Sequence, residues 1–90
     1  MWFTYLLLCQ DNSIYAGVTN DLEKRLAAHR AGTASRYTRS RGSRKFIYAE
    51  KAANKSAALK REHALKKLDR AAKLVLVKGF KLDPKIKLPK

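Results

Sequence analysis

Acidic residues are scarce in this chain. Only 7 Asp and Glu face 21 Lys and Arg, so its 90 residues carry a net charge of +14 at pH 7. An excess of that size strains a compact fold by self-repulsion and is tolerated mainly where a polyanion is the working partner. Nucleic acid is the first candidate and an anionic membrane surface the second. Cysteine is nearly missing: Cys9 alone excludes an internal disulfide and a cysteine zinc cluster, and it fits a reducing cytosol. Long apolar runs are missing too. The best, "WFTYLLLC" at residues 2–9, is far shorter than the roughly 20 residues a membrane span needs. That run has no basic leader and no small-residue cleavage site, so no signal peptide is expected and the reading is cytoplasmic, without a membrane partner. The length leaves no room for a second domain, while 46% hydrophobic residues exclude a wholly disordered chain.

What is present reads as an α+β domain. "WFTYLLLC" and "IYAGVT" are short apolar runs separated by the turn formers of "QDNS", a β-hairpin pattern. A connection of odd register, for instance Gln10 opposite Ile14, places Tyr5 and Tyr15 on one sheet face; even register divides them. Asn20 with Glu23 three residues on resembles a capping box for a first helix, which Gly32 would end. "ASRYTRSRGSR" reads as a loop, "KFIYAE" at 45–50 as a third strand, and "NKSAALKREHALKKL" as a helix with Asn54 or Ser56 near its cap. Asp69 can cap a last helix, "RAAKLVLV", ahead of a basic tail broken by Pro84 and Pro89. The expected fold is a small three-stranded antiparallel sheet flanked by helices in the order β-β-α-β-α-α, with a domain over residues 1–77 and a tail over 78–90.

Two helices carry polar groups where apolar ones belong. At 100° per residue, Leu22, Arg25, Leu26 and His29 form one stripe of "NDLEKRLAAHR". On the later helix Glu62 shares the arc of Ala58, Leu59 and Leu65. A carboxylate in such a place must be protonated, paired or bound to a metal. One reading is structural, an Arg25–Glu62 ion pair with His29 hydrogen-bonded at the core edge. The other is a polar cavity between helices and sheet.

These residues together resemble the GIY-YIG nuclease domain, in particular its small stand-alone bacterial members, over roughly residues 1–77. "FTY" supplies the tyrosine of the first motif, Tyr5, and "YAG" supplies Tyr15 and Gly17 of the second. Arg25, His29, Tyr37 in "SRYT" and Glu62 in "LKREHALKK" match the positions that follow. Ala16 stands where the motif has isoleucine, and no asparagine after Glu62 matches the one that closes some family sites. The resemblance implies hydrolysis of phosphodiesters by water with one divalent cation, Mg²⁺ or Mn²⁺, held by Glu62. It implies Arg25 on the scissile phosphate. Resemblance and electrostatics together favour Tyr5 as general base, with Tyr15 as its partner or a phosphate ligand. Cationic charge from Arg25, the metal and His29 would lower a phenol pKa that is otherwise near 10.

Arg36, Arg39, Arg41 and Arg44 alternate with small residues around Tyr37, a pattern suited to phosphate contacts with Tyr37 against a sugar or base. The expectation is a divalent-metal-dependent endonuclease acting on DNA with low sequence specificity, on single-stranded or branched substrates, with no obligate protein partner evident. The rival is a noncatalytic DNA- or RNA-binding protein on the same scaffold.

Overall fold

A computed structural model describes residues 1–80, 88 and 89, so most of the expected basic tail, 81–87 and 90, lies outside the described residues. Its elements are β1 (Trp2–Cys9), β2 (Ile14–Thr19), α1 (Leu22–Ala31), α2 (Arg36–Arg41), β3 (Ser43–Ala52), α3 (Lys55–Lys66) and α4 (Arg70–Lys78). The strands form one antiparallel sheet in the order β2-β1-β3. No helix among the described residues is long and apolar enough to cross a membrane.

The central strand explains its own sequence. "WFTYLLLC" does not alternate because both faces of β1 are covered, and Thr4, Tyr5, Leu6 and Leu7 are all buried. One face packs Tyr5 and Leu7 with Leu22 and Leu26 of α1 and with Phe46 and Ala49 of β3. The other packs Leu6, Ile14, Ala16 and Tyr48 under Leu65 of α3, with Leu76 and Val77 of α4 joining them. Thr4 is tolerated on this second face because its hydroxyl donates to the Ala58 carbonyl of α3 at 2.9 Å.

The hairpin keeps the expected odd register but is shifted by two residues. Leu8, not Gln10, faces Ile14, and Tyr5 faces Gly17. The cause is the turn: the Asn12 N–H donates to the Cys9 carbonyl at 3.0 Å, and Asn12 adopts φ 68°, a left-handed conformation that asparagine accepts more readily than most residues. Parity is unchanged, so Tyr5 and Tyr15 share the α1 face.

Three local expectations are corrected. Asp21, not Asn20, caps α1, its carboxylate accepting from the Lys24 N–H at 3.0 Å; Gly32, at φ 80°, ends the helix as expected. The arginine-rich loop contains a helix, α2, capped by Ser35 and anchored by the fully buried Thr38, so the order becomes β-β-α-α-β-α-α. On α3, capped by Asn54, the buried arc is Ala58 and Leu65; Leu59 points outward and is exposed. Asp69 caps α4 as expected.

Candidate active site

The site grows from the β1–β2 pair. Tyr5 projects onto the α1 face and its ring lies across Gly17, its partner on β2. A Cβ at Gly17 would come within 2.5 Å of Tyr5 Cζ and closer still to the hydroxyl. The glycine therefore makes room for the phenol. From α1, His29 reaches back to meet it, with Nε2 2.7 Å from the Tyr5 hydroxyl and the two rings edge to face. Its other nitrogen, Nδ1, lies 2.8 Å from Thr38 Oγ1 on α2. Tyr5 and His29 each retain only 2% exposure and Thr38 none, so this chain of hydrogen bonds is buried.

A second row of groups lines the rim. Tyr15, half-buried, presents its ring edge to His29 at 5.4 Å between centroids and stacks on Tyr37 at 5.7 Å. Arg41 lies over the outer face of Tyr37, 4.4 Å from its centroid, and is tied to Asp11 of the hairpin turn at 2.5 Å. The stack Tyr15–Tyr37–Arg41 thus runs from the centre to solvent. Arg36, Arg39 and Arg44 are exposed; Arg39 lies against Gly32, and Arg44 reaches the Asn12 side chain at 3.4 Å. Among the described residues none of these three touches Tyr5 or His29.

Arg25 and Glu62 approach from opposite elements, α1 and α3, and do not pair. The Glu62 carboxylate meets Lys66 one turn on, at 3.3 Å, and Arg25 has no ion-pair partner among the described residues. Both charges act on Tyr5, Arg25 lowering its pKa and Glu62 raising it. The structural reading, an Arg25–Glu62 ion pair, is thereby set aside.

Electrostatics corrects a further expectation. Burial pushes the Tyr5 phenol well above its ordinary 10, Tyr15 adds to the rise, and Arg25 does not offset them. His29 brings no positive charge: burial, reinforced by Arg25, pulls it from 6.5 down to about 4. The resting centre is a protonated phenol against a neutral imidazole. Thr38 was missed by sequence reasoning, since a threonine among arginines gives no sign that it faces inward.

A model of the GIY-YIG catalytic domain matches residues 1–75. The chain belongs to the GIY-YIG family. This GIY-YIG chain is 48% identical over 77 residues to a UPF0213 protein of Clostridium perfringens, covering 86% of this chain and 83% of that one. A UPF0213 protein of Oceanobacillus iheyensis is 44% identical over 75 residues, with 83% and 87% covered. The solution NMR structure of a UPF0213 protein from Bacillus halodurans superposes with a TM-score of 0.53 at 35% identity, covering 87% of this GIY-YIG chain and 84% of that one.

Neutral His29 makes a prediction about folding. The unfolded chain binds a proton at residue 29 near pH 6.5 and the folded chain only near about 4, so the unfolded state holds more protons between these values. Stability present above pH 6.5 is lost as pH falls toward 4, with a slope of up to about 1.4 kcal/mol per unit. Asp11 adds a separate loss at lower pH, because hydrogen bonds from Ser13 and then Arg41 hold it at about 2 against an ordinary 3.8. Urea unfolding at several pH values should show the first slope in the wild type and a flatter one in His29→Gln. Equal slopes would mean that His29 is protonated in the fold.

Proposed function

We propose that this GIY-YIG domain is a divalent-metal-dependent endonuclease that hydrolyses DNA phosphodiester bonds with little sequence specificity, on single-stranded or branched substrates. The observation that carries the reading is the buried Tyr5–His29 hydrogen bond between the charges of Arg25 and Glu62. A phenol with a raised pKa is a poor base by itself. Here its proton has a destination: as the Tyr5 oxygen takes a proton from the attacking water, its own passes to Nε2 of His29, leaving an imidazolium and a nucleophilic hydroxide. This favours Tyr5 as the base. The Tyr15 hydroxyl has no hydrogen-bond partner among the described residues and is left for a phosphate oxygen.

Arg25, unpaired and half-buried, would grip the scissile phosphate and stabilise the charge that gathers on it. Among the described residues no group of three His, Cys, Asp or Glu side chains stands close enough to hold a metal, so a hard cation here would take most of its ligands from water and phosphate oxygens. Glu62 is the carboxylate that would hold Mg²⁺ or Mn²⁺, and the cation would supply Lewis-acid stabilisation of the phosphate and leaving oxygen. Tyr37, 38% exposed and held between Tyr15 and Arg41, would offer its edge and hydroxyl to a sugar, while Arg36, Arg39, Arg41 and Arg44 would track the backbone. A cytoplasmic protein that needs no obligate protein partner completes the proposal.

The test is cleavage of end-labelled single-stranded, branched and duplex DNA, and of RNA, with Mg²⁺, Mn²⁺ or chelator. Metal-dependent cutting that falls roughly 10²–10³-fold in Arg25→Ala is expected, the loss typical of one preorganised donor. Because Arg25 anchors no ion pair, the variant should melt close to the wild type. Binding without cleavage under every metal condition would support the noncatalytic reading instead.

A further inference from the structure

Thr38 is the one wholly buried residue of α2, a helix otherwise turned toward solvent. Burial of a polar side chain needs a reason, and its contacts supply one. Oγ1 lies 2.8 Å from His29 Nδ1 and 2.8 Å from Ser35 Oγ, and Ser35 Oγ also accepts the Thr38 N–H at 3.1 Å. Two proton arrangements satisfy this geometry on paper. In the first, the Tyr5 hydroxyl donates to Nε2, the Nδ1–H donates to Thr38, and Thr38 donates to Ser35. In the second every proton is reversed, and His29 donates from Nε2 to the Tyr5 oxygen.

The buried phenol decides between them. Tyr5 has one O–H, 2% exposure and a single hydrogen-bond partner among the described residues, His29 Nε2. Reversal would leave that O–H without an acceptor inside the protein, which is expensive. The first arrangement satisfies each group: Ser35 Oγ has two lone pairs for its two donors, and half-buried Ser35 can pass its own proton to water. It also requires the Nδ1–H tautomer, the less populated one in free histidine, and that N–H is itself buried, so without an acceptor at Thr38 the cost of stranding it would match the cost of stranding the phenol O–H.

We infer that Thr38 is a positioning residue: by accepting the Nδ1–H it fixes His29 in the tautomer whose Nε2 lone pair receives the Tyr5 proton. The inference rests on the nuclease reading for its effect on rate, but the tautomer itself is a property of the folded protein without substrate. Thr38 touches no reacting atom. It acts through the imidazole, as partners on the far nitrogen of a histidine commonly do. Its place on α2 also puts this control one residue from Tyr37.

Two readouts test it on the full chain. Nitrogen-15 ring correlation spectra at neutral pH should show His29 as Nδ1–H in the wild type, with exposed His63 as an internal reference. Thr38→Val keeps the shape but removes the acceptor; His29 should then shift toward Nε2–H, kcat should fall roughly 10- to 100-fold, and KM should stay nearly unchanged. Thr38→Ser should restore both the tautomer and kcat. An Nε2–H signal in the wild type, or an unaltered Nδ1–H signal in Thr38→Val, overturns the inference whether or not any substrate is cut. If Thr38→Val does not fold, Thr38→Ala removes the same acceptor and should give the same tautomer shift, and an Nε2–H wild-type spectrum overturns the inference without any variant. If the wild type cuts nothing while the spectra behave as expected, the nuclease reading fails and the positioning role stands.

Discussion

Glu62→Ala should cut nothing, melt at or above the wild-type temperature in chelator, and bind DNA at least as tightly. Stability follows from what Glu62 touches. Its ion pair is with Lys66 on the same helix, whose side chain is 49% exposed, so removing the carboxylate strands no buried charge. An i,i+4 pair of this kind contributes about 0.2–0.5 kcal/mol, and alanine recovers a similar amount through helix propensity. The Glu62 side chain is itself only 15% exposed, so its loss also removes a desolvation penalty. Tighter binding follows from taking away one of only 7 acids. Thermal melts with chelator, filter binding and the cleavage assay make the comparison. A loss of about 3–5 kcal/mol, the usual consequence of breaking a buried ion pair, would return Glu62 to the architecture.

Gly17→Ala should fail for a different reason. The added methyl would occupy space that Tyr5 Cζ and its hydroxyl fill, and β1 and β2 are locked by their ladder. The phenol must swing away, breaking the 2.7 Å contact with His29. Cleavage should fall by the contribution of the general base, roughly 10²–10⁴-fold, and overpacking should cost about 1–3 kcal/mol. Tyr5→Phe separates the two effects: it loses the same chemistry but keeps the packing, so its melting temperature should lie well above that of Gly17→Ala. An active Gly17→Ala would show that Tyr5 need not stand where it does.

The hairpin, the caps at Asn54 and Asp69 and the stripe of Arg25 and His29 were legible in the sequence because each depends on neighbours within a few residues. Helix α2 was not. Six residues, "RYTRSR", show no apolar period, and the helix exists because Ser35 caps it and Thr38 is held by His29, a contact nine residues away. Glu62 was rightly placed beside Ala58 and Leu65, but neither its pairing with Lys66 nor the exposure of Leu59 follows from helical spacing. The charge state of the centre was the least legible. Residue types suggested a histidine cation easing the ionisation of tyrosine, whereas depth of burial, which no spacing rule reports, keeps both groups neutral.

The link between Arg41 and Asp11 has a consequence for the basic surface. Arg41 already carries an anion of its own, so a phosphate arriving there performs an exchange rather than a capture. The displaced carboxylate stays on the hairpin turn beside the incoming strand and repels it. Arg41 therefore adds less to the pull on a polyanion than its own formal charge suggests. What the exchange retains is shape: with Asp11 as its resting counterion, the guanidinium stays over the Tyr37 ring, and the stack is already assembled when a strand arrives.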